Sequence, residues 1–134
     1  MNDKDYRGFV YAKQASFKSD FYKTHTGCVA MYRGAILARG WNTDKTSTTQ
    51  AHYNKVRGFD ENSYPARIHA EMMVVQKIRY LDVDFSKVKI YVWRGKDQPR
   101  MAKPCKSCEC ALRELGIKHV FYTGDNSYIE EVYR

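Results

Sequence analysis

The stretch PARIHAEMMVVQKIRYLDVDFSKVKIYVWRGKDQPRMAKPCKSCECALRELGIKHVFYT, residues 65–123, changes its apolar period three times. Ile68, Met72, Val75 and Ile78 recur at helical spacing behind Pro65, a residue suited to a first helical turn. Val88, Ile90 and Val92 then alternate with Lys89, Tyr91 and Trp93, as in a strand. Pro104 marks a second helix start, Leu112 and Leu115 continue its apolar face, and Gly116 is a natural C-cap before a strand at 118–123. Strands joined through a helix run parallel by a right-handed crossover.

Upstream, two β-rich runs at 27–32 and 35–41 flank Arg33-Gly34, so a two-residue turn makes them an antiparallel pair. Before them, Tyr6, Phe9, Val10, Lys13 and Phe17 follow an Asn2/Asp3 capping signal, predicting an amphipathic helix from residue 3 to about 20 that covers the sheet. A short helix from Ser127 onward would close the chain. The expected architecture is α/β, a three-layer α/β/α sandwich around a mixed sheet of about five strands. In such sheets, sites form at the carboxyl ends of the parallel strands.

The chain has 134 residues and no repeat or Pro/Gly-rich linker, so one domain over 1–134 is expected. The polar stretch 43–64 is long for a passive connection, and reads as a functional lid or a mobile loop. Nothing approaches a signal peptide or membrane span, which predicts a cytosolic protein without membrane contact. In that reducing compartment, the crowding of Cys105, Cys108 and Cys110 favours metal over a disulfide framework. A net charge of +8, with basic residues scattered rather than massed, favours an anionic partner such as a nucleotide or nucleic acid.

Two motifs occupy the helix starts: His69-Ala70-Glu71 and Pro104-Cys105-Lys106-Ser107-Cys108. Cys105 and Cys108 share a helical face, and the positive end of the helix dipole favours their thiolates. One imidazole and two thiolates suit Zn2+ and leave a fourth tetrahedral position open, the arrangement of a catalytic rather than structural site. Such a zinc lowers the pKa of water to about 7, and Glu71, two residues beyond the histidine, is placed to accept that proton. A structural site would need a further donor from Cys110, Cys28, His25, His52 or His119. Cys110 lies roughly 140° around the helix from Cys105 and points away. Cys28 reads as core, and the three histidines lack ligand spacing to one another.

H-x-E followed by P-C-x-x-C, here with Cys105 placed 34 positions after Glu71, is the signature of zinc nucleobase deaminases. The chain resembles the cytidine and deoxycytidylate deaminase superfamily over nearly its whole length. Gly27-Cys28-Val29-Ala30 is similar to that family's first strand, and Gly40-Trp41-Asn42 to its G-x-N turn. Residues 115–122, LGIKHVFY, are similar to its passage from the cysteine helix into a core strand. The resemblance implies that Asn42 hydrogen-bonds the sugar or base, and that cytosine is attacked at C4, with Glu71 relaying protons as ammonia leaves. Met101-Ala102-Lys103-Pro104-Cys105 departs from the T-L-E-P-C of tRNA adenosine deaminases, as does Ala66-Arg67-Ile68 before the histidine, which points away from adenine.

Ala70, Tyr122, Arg94 and Lys103 complete the candidate substrate contacts, the two cations belonging to a basic loop at 94–103 suited to a phosphate. Trp41, Trp93, Phe121 and Tyr122 read first as core aromatics, with Tyr122 the best placed to meet a base. A cytidine nucleotide such as deoxycytidylate is the first substrate expectation. Cytosine in single-stranded DNA or RNA is the second, and a silent deaminase-fold module that binds nucleic acid is the third. Association into a homo-oligomer stays open.

Overall fold

The computed structural model describes residues 2–20, 24–43, 50, 52–53 and 69–134. Its elements are α1 (Asp3–Ser16), β1 (Thr26–Tyr32), β2 (Ala35–Trp41), α2 (Ala70–Ile78), β3 (Lys89–Arg94), α3 (Lys106–Leu115), β4 (His119–Gly124) and β5 (Ser127–Val132). The segment around Pro65 and most of the 43–64 stretch lie outside the described residues.

The five strands form one sheet in the order β2-β1-β3-β4-β5. Only β3 and β4 pair in parallel, with Tyr91 beside Phe121, and the other neighbours are antiparallel. Since β1 runs opposite to both β2 and β3, the strands β2, β3 and β4 share one direction. Their carboxyl ends therefore lie along the same side of the sheet, where α2 and α3 begin.

Strand alternation sorts the core into two layers. Cys28, Ala30, Ile90, Val92, Val120 and Tyr122 face α2 and α3, meeting Met72, Val75, Ile78, Cys108 and Leu112. Val29, Met31, Tyr91, Trp93 and Phe121 face α1 and close around Phe9 and Ala12. Trp93, Phe121 and Tyr122 are thus core residues. The β1–β2 turn has φ values of 53° at Arg33 and 81° at Gly34, the paired positive angles that a tight two-residue hairpin requires.

Asn2 caps α1 by accepting the Asp5 amide at 2.8 Å, but the helix ends at Ser16, short of its expected extent. Tyr6 and Phe17, expected on its buried stripe, are 55% and 68% exposed. The helix instead packs through small residues, because Gly8 lies so near the Tyr91 ring that a Cβ would come within 2.7 Å of it. The end of the chain also differs from expectation, since 127–132 is a strand and not a helix. Asn126 turns the chain with φ 55°, and six residues cannot nucleate a stable helix but can satisfy the open edge of β4.

Candidate metal centre

His69 and Cys105 occupy equivalent places, each the N-cap of its helix with extended backbone (ψ 157° and 166°) and no side-chain capping bond. N-cap side chains ordinarily fold back onto the helix amides. Here both turn toward each other, and Cys108, in the first turn of α3, joins them. His69 Nδ1 lies 3.5 Å from Cys105 Sγ and 3.4 Å from Cys108 Sγ, and the three ligand atoms lie within 4.8 Å of one another. A tetrahedral zinc with ordinary N and S bond lengths separates those donors by about 3.6 Å. The group therefore has the spacing of one shared ion. Among the described residues no fourth His, Cys, Asp or Glu joins it. Cys28 is buried in the core, and Cys110 stays outside the group.

The electrostatics of the group favour a thiolate at Cys105 and a thiol at Cys108. A hydrogen bond from the Cys108 thiol, against burial and with help from His69, brings the Cys105 thiol down to about 4. Burial disfavours a charged His69, yet the hydrogen bond and charge of Cys105 outweigh it and raise the imidazole's pKa. Cys108 is pushed up, as the donor to Cys105 in a buried position near Glu71. Glu71 sits one position into α2 and is 5% exposed; burial raises its carboxyl against the pull of His69.

Three residues shape the surroundings of this group. Gly40 of β2 lies directly on the carbonyl of Ala70, where a Cβ would collide with backbone. Asn42 accepts the Thr26 amide and donates to the Thr24 carbonyl, both at 2.9 Å, so its carboxamide binds the entry to β1. Gln50 is fully buried, and its Oε1 accepts the His69 amide at 3.3 Å. Sequence reasoning misses Gln50, because one glutamine within a long polar stretch carries no signal of the partner it meets.

The remaining candidates divide between two places. Tyr122 is buried in the same core layer as Ala102 and Cys108. Lys103 is exposed and pairs with Glu131 at 3.9 Å. Arg94, at the end of β3, reaches the Met101 carbonyl at 3.5 Å and lines a cleft of about 780 Å³. His25, Lys96 and Arg100 line it too, with Asp97 and Asp125. His25 has no ligand spacing to mark it in the sequence; its place beside the basic loop depends on the β1–β3 pairing.

A mixed sheet with two helix starts converging on a His-Cys-Cys group defines a cytidine deaminase-like α/β protein. The family model described as the cytidine and deoxycytidylate deaminase zinc-binding region matches residues 3–124, and the chain belongs to that family. Among solved structures it is similar to the apo dCMP deaminase of cyanophage S-TIM5, with 22% identity over 91% of this chain and 84% of that chain and a TM-score of 0.64. The same phage enzyme in complex with dCMP and dUMP gives 21% identity, coverage of 91% and 82%, and a TM-score of 0.63. The cytidine deaminase of Burkholderia pseudomallei gives 16% identity, coverage of 98% and 93%, and a TM-score of 0.67. At such identities the likeness is one of fold. No curated protein matches the chain by sequence. No helix among the described residues is long and apolar enough to cross a membrane.

Proposed function

We propose that this chain, acting as one deaminase unit over 1–134, converts cytosine to uracil in a cytidine nucleotide such as deoxycytidylate. The observation that carries this reading is the His69, Cys105 and Cys108 group, spaced for one zinc and joined by no fourth donor among the described residues, beside the buried carboxyl of Glu71. Zinc held there would supply an acidified water as nucleophile at neutral pH. Glu71 would pass one proton of the attacking water to the ring nitrogen and then the second, from the hydroxyl left on C4, to the departing amine, so that cytosine and water become uracil and ammonia. Its burial suits both halves of this work, because it raises the carboxyl above its ordinary value and so makes the protonated form easier to reach.

Substrate contacts are assigned to Ala70 at the start of α2, Asn42 at the end of β2, and Tyr122 on β4. Arg94, in the cleft, is assigned to the phosphate, with Lys103, paired to Glu131 outside the cleft lining, as the second candidate. The cleft's volume falls in the range of small-molecule sites, and Arg94, Lys96 and Arg100 outnumber its two acids. That same excess, with the net charge of +8, supports a second reading in which the cleft receives single-stranded DNA or RNA. Four free thiols suit a cytosolic setting.

The test is a side-by-side screen with zinc-loaded protein, measuring ammonia from deoxycytidylate and from cytidine, and uracil in a labelled oligonucleotide. Deamination of deoxycytidylate is expected. Turnover of the oligonucleotide alone would overturn the nucleotide reading in favour of the second. No turnover on any substrate would overturn both and leave a nucleic-acid-binding module.

A further inference from the structure

Gln50 and Tyr53, each in helical backbone, meet the two helices that carry the metal group. On one side, Gln50 accepts the backbone N–H of His69. On the other, the Tyr53 hydroxyl donates to Glu114 Oε2 at 2.6 Å, and Glu114 lies in α3, the helix that begins at the cysteines. Tyr53 also packs against the core layer that contains Cys108.

We infer that Gln50 and Tyr53 are positioning residues that clamp the histidine-bearing helix start to the cysteine-bearing helix. An N-cap amide is one of the donors that no helix satisfies internally. In a capping box a residue of the same helix accepts it. At His69 the acceptor instead comes from a distant segment, and it is a wholly buried amide group whose placement is fixed by packing. The bond holds the His69 backbone extended, which lets the imidazole leave the helix and aim Nδ1 at the thiols. Tyr53 holds α3 near its other end, at Glu114. Partners of this kind behind metal ligands are worth roughly 10–100-fold in metal affinity.

The inference rests on the metal reading of the group, so its test reads metal and not turnover. Cobalt(II) is added to the metal-free chain to record its thiolate charge-transfer and d–d bands, and zinc affinity is measured by competition with a chelator. Gln50→Met, which keeps the size and removes the acceptor, is expected to lose about 10-fold or more in zinc affinity with shifted d–d bands. Gln50→Glu, which keeps an oxygen acceptor, should retain the parental bands. Tyr53→Phe should weaken zinc several-fold, and it decides the matter if Gln50→Met does not fold. Parental affinity and bands in the folded variants would overturn the clamp while leaving the deaminase reading intact. A parent chain that gives no thiolate charge-transfer with cobalt would overturn both.

Discussion

The Tyr91 hydroxyl on β3 donates a 2.5 Å hydrogen bond to Oδ1 of Asp5 on α1, joining buried groups 86 positions apart in the chain. The same carboxylate oxygen lies 3.6 Å from Lys89 Nζ. This is the polar pin of the α1 layer, set beside the close approach of Gly8 to the Tyr91 ring. A hydrogen bond to a charged acceptor contributes about 1.5–3 kcal/mol, so Tyr91→Phe should lower unfolding free energy by that amount in urea titrations near neutral pH.

The pin also predicts alkaline behaviour. Burial, and then the bond to Asp5, raise the Tyr91 phenol above its ordinary value. Below about pH 10 the folded and unfolded chains both keep this proton. As pH rises further the unfolded chain releases it first, so the folded chain binds more protons and stability falls. Urea midpoints measured between about pH 8 and pH 11 should therefore fall less steeply in Tyr91→Phe than in the parent. Equal slopes would show that Tyr91 does not govern this range.

The chemistry separates cleanly by residue. Glu71→Ala should retain about one zinc per chain and lose turnover by roughly 10²–10⁴-fold or more, as expected for removal of a general acid–base group. Cys105→Ser and Cys108→Ser should lose the ion itself, which elemental analysis after gel filtration would reveal, together with part of the fold's thermal stability. A Glu71→Ala variant with parental turnover would remove that residue from the mechanism.

The cleft predicts a split between binding and chemistry. Arg94→Ala or Arg100→Ala should raise KM for deoxycytidylate by about 10-fold, the value of one charge-assisted contact, and leave its kcat near the parent's. Deoxycytidine, which lacks the phosphate, should hardly notice either change. An equal loss on both substrates would mean that the cations act on folding or on the base and not on phosphate.

Local and periodic patterns make much of the fold legible in the amino-acid sequence. The alternation at 88–93 marks a strand, and the H-x-E and P-C-x-x-C spacings mark helix starts. Features decided by distant partners are not legible in this way. The stripe of α1 is misleading because Gly8 and Ala12, weak hydrophobic signals, allow the closest approach, while the larger Phe17 falls outside the helix. Residues 127–132 resemble a helix because nothing within them records the free edge of β4 that they complete. Asn42 can be singled out through its resemblance to a turn, but its bonds to Thr24 and Thr26 cannot. Gln50 offers no local clue at all.

Gly40 supplies a stability test with a second readout. Gly40→Ala places a methyl group against the Ala70 carbonyl, with Val74 Cγ2 at 2.9 Å, so α2 must back away from β2. A cost of about 1–3 kcal/mol is expected from this overpacking, and because His69 rides on the same helix start, zinc affinity should drop with it. A variant of parental stability would show that the helix is free to shift.

The metal group brings together side chains 36 and 39 positions apart, with β3 threaded through the intervening chain. An ion seated there is a cross-link as well as a reagent, closing a long loop that the unfolded chain would otherwise be free to open. Amides of β3 should consequently exchange with deuterium more slowly once metal is added, including those far from the ion.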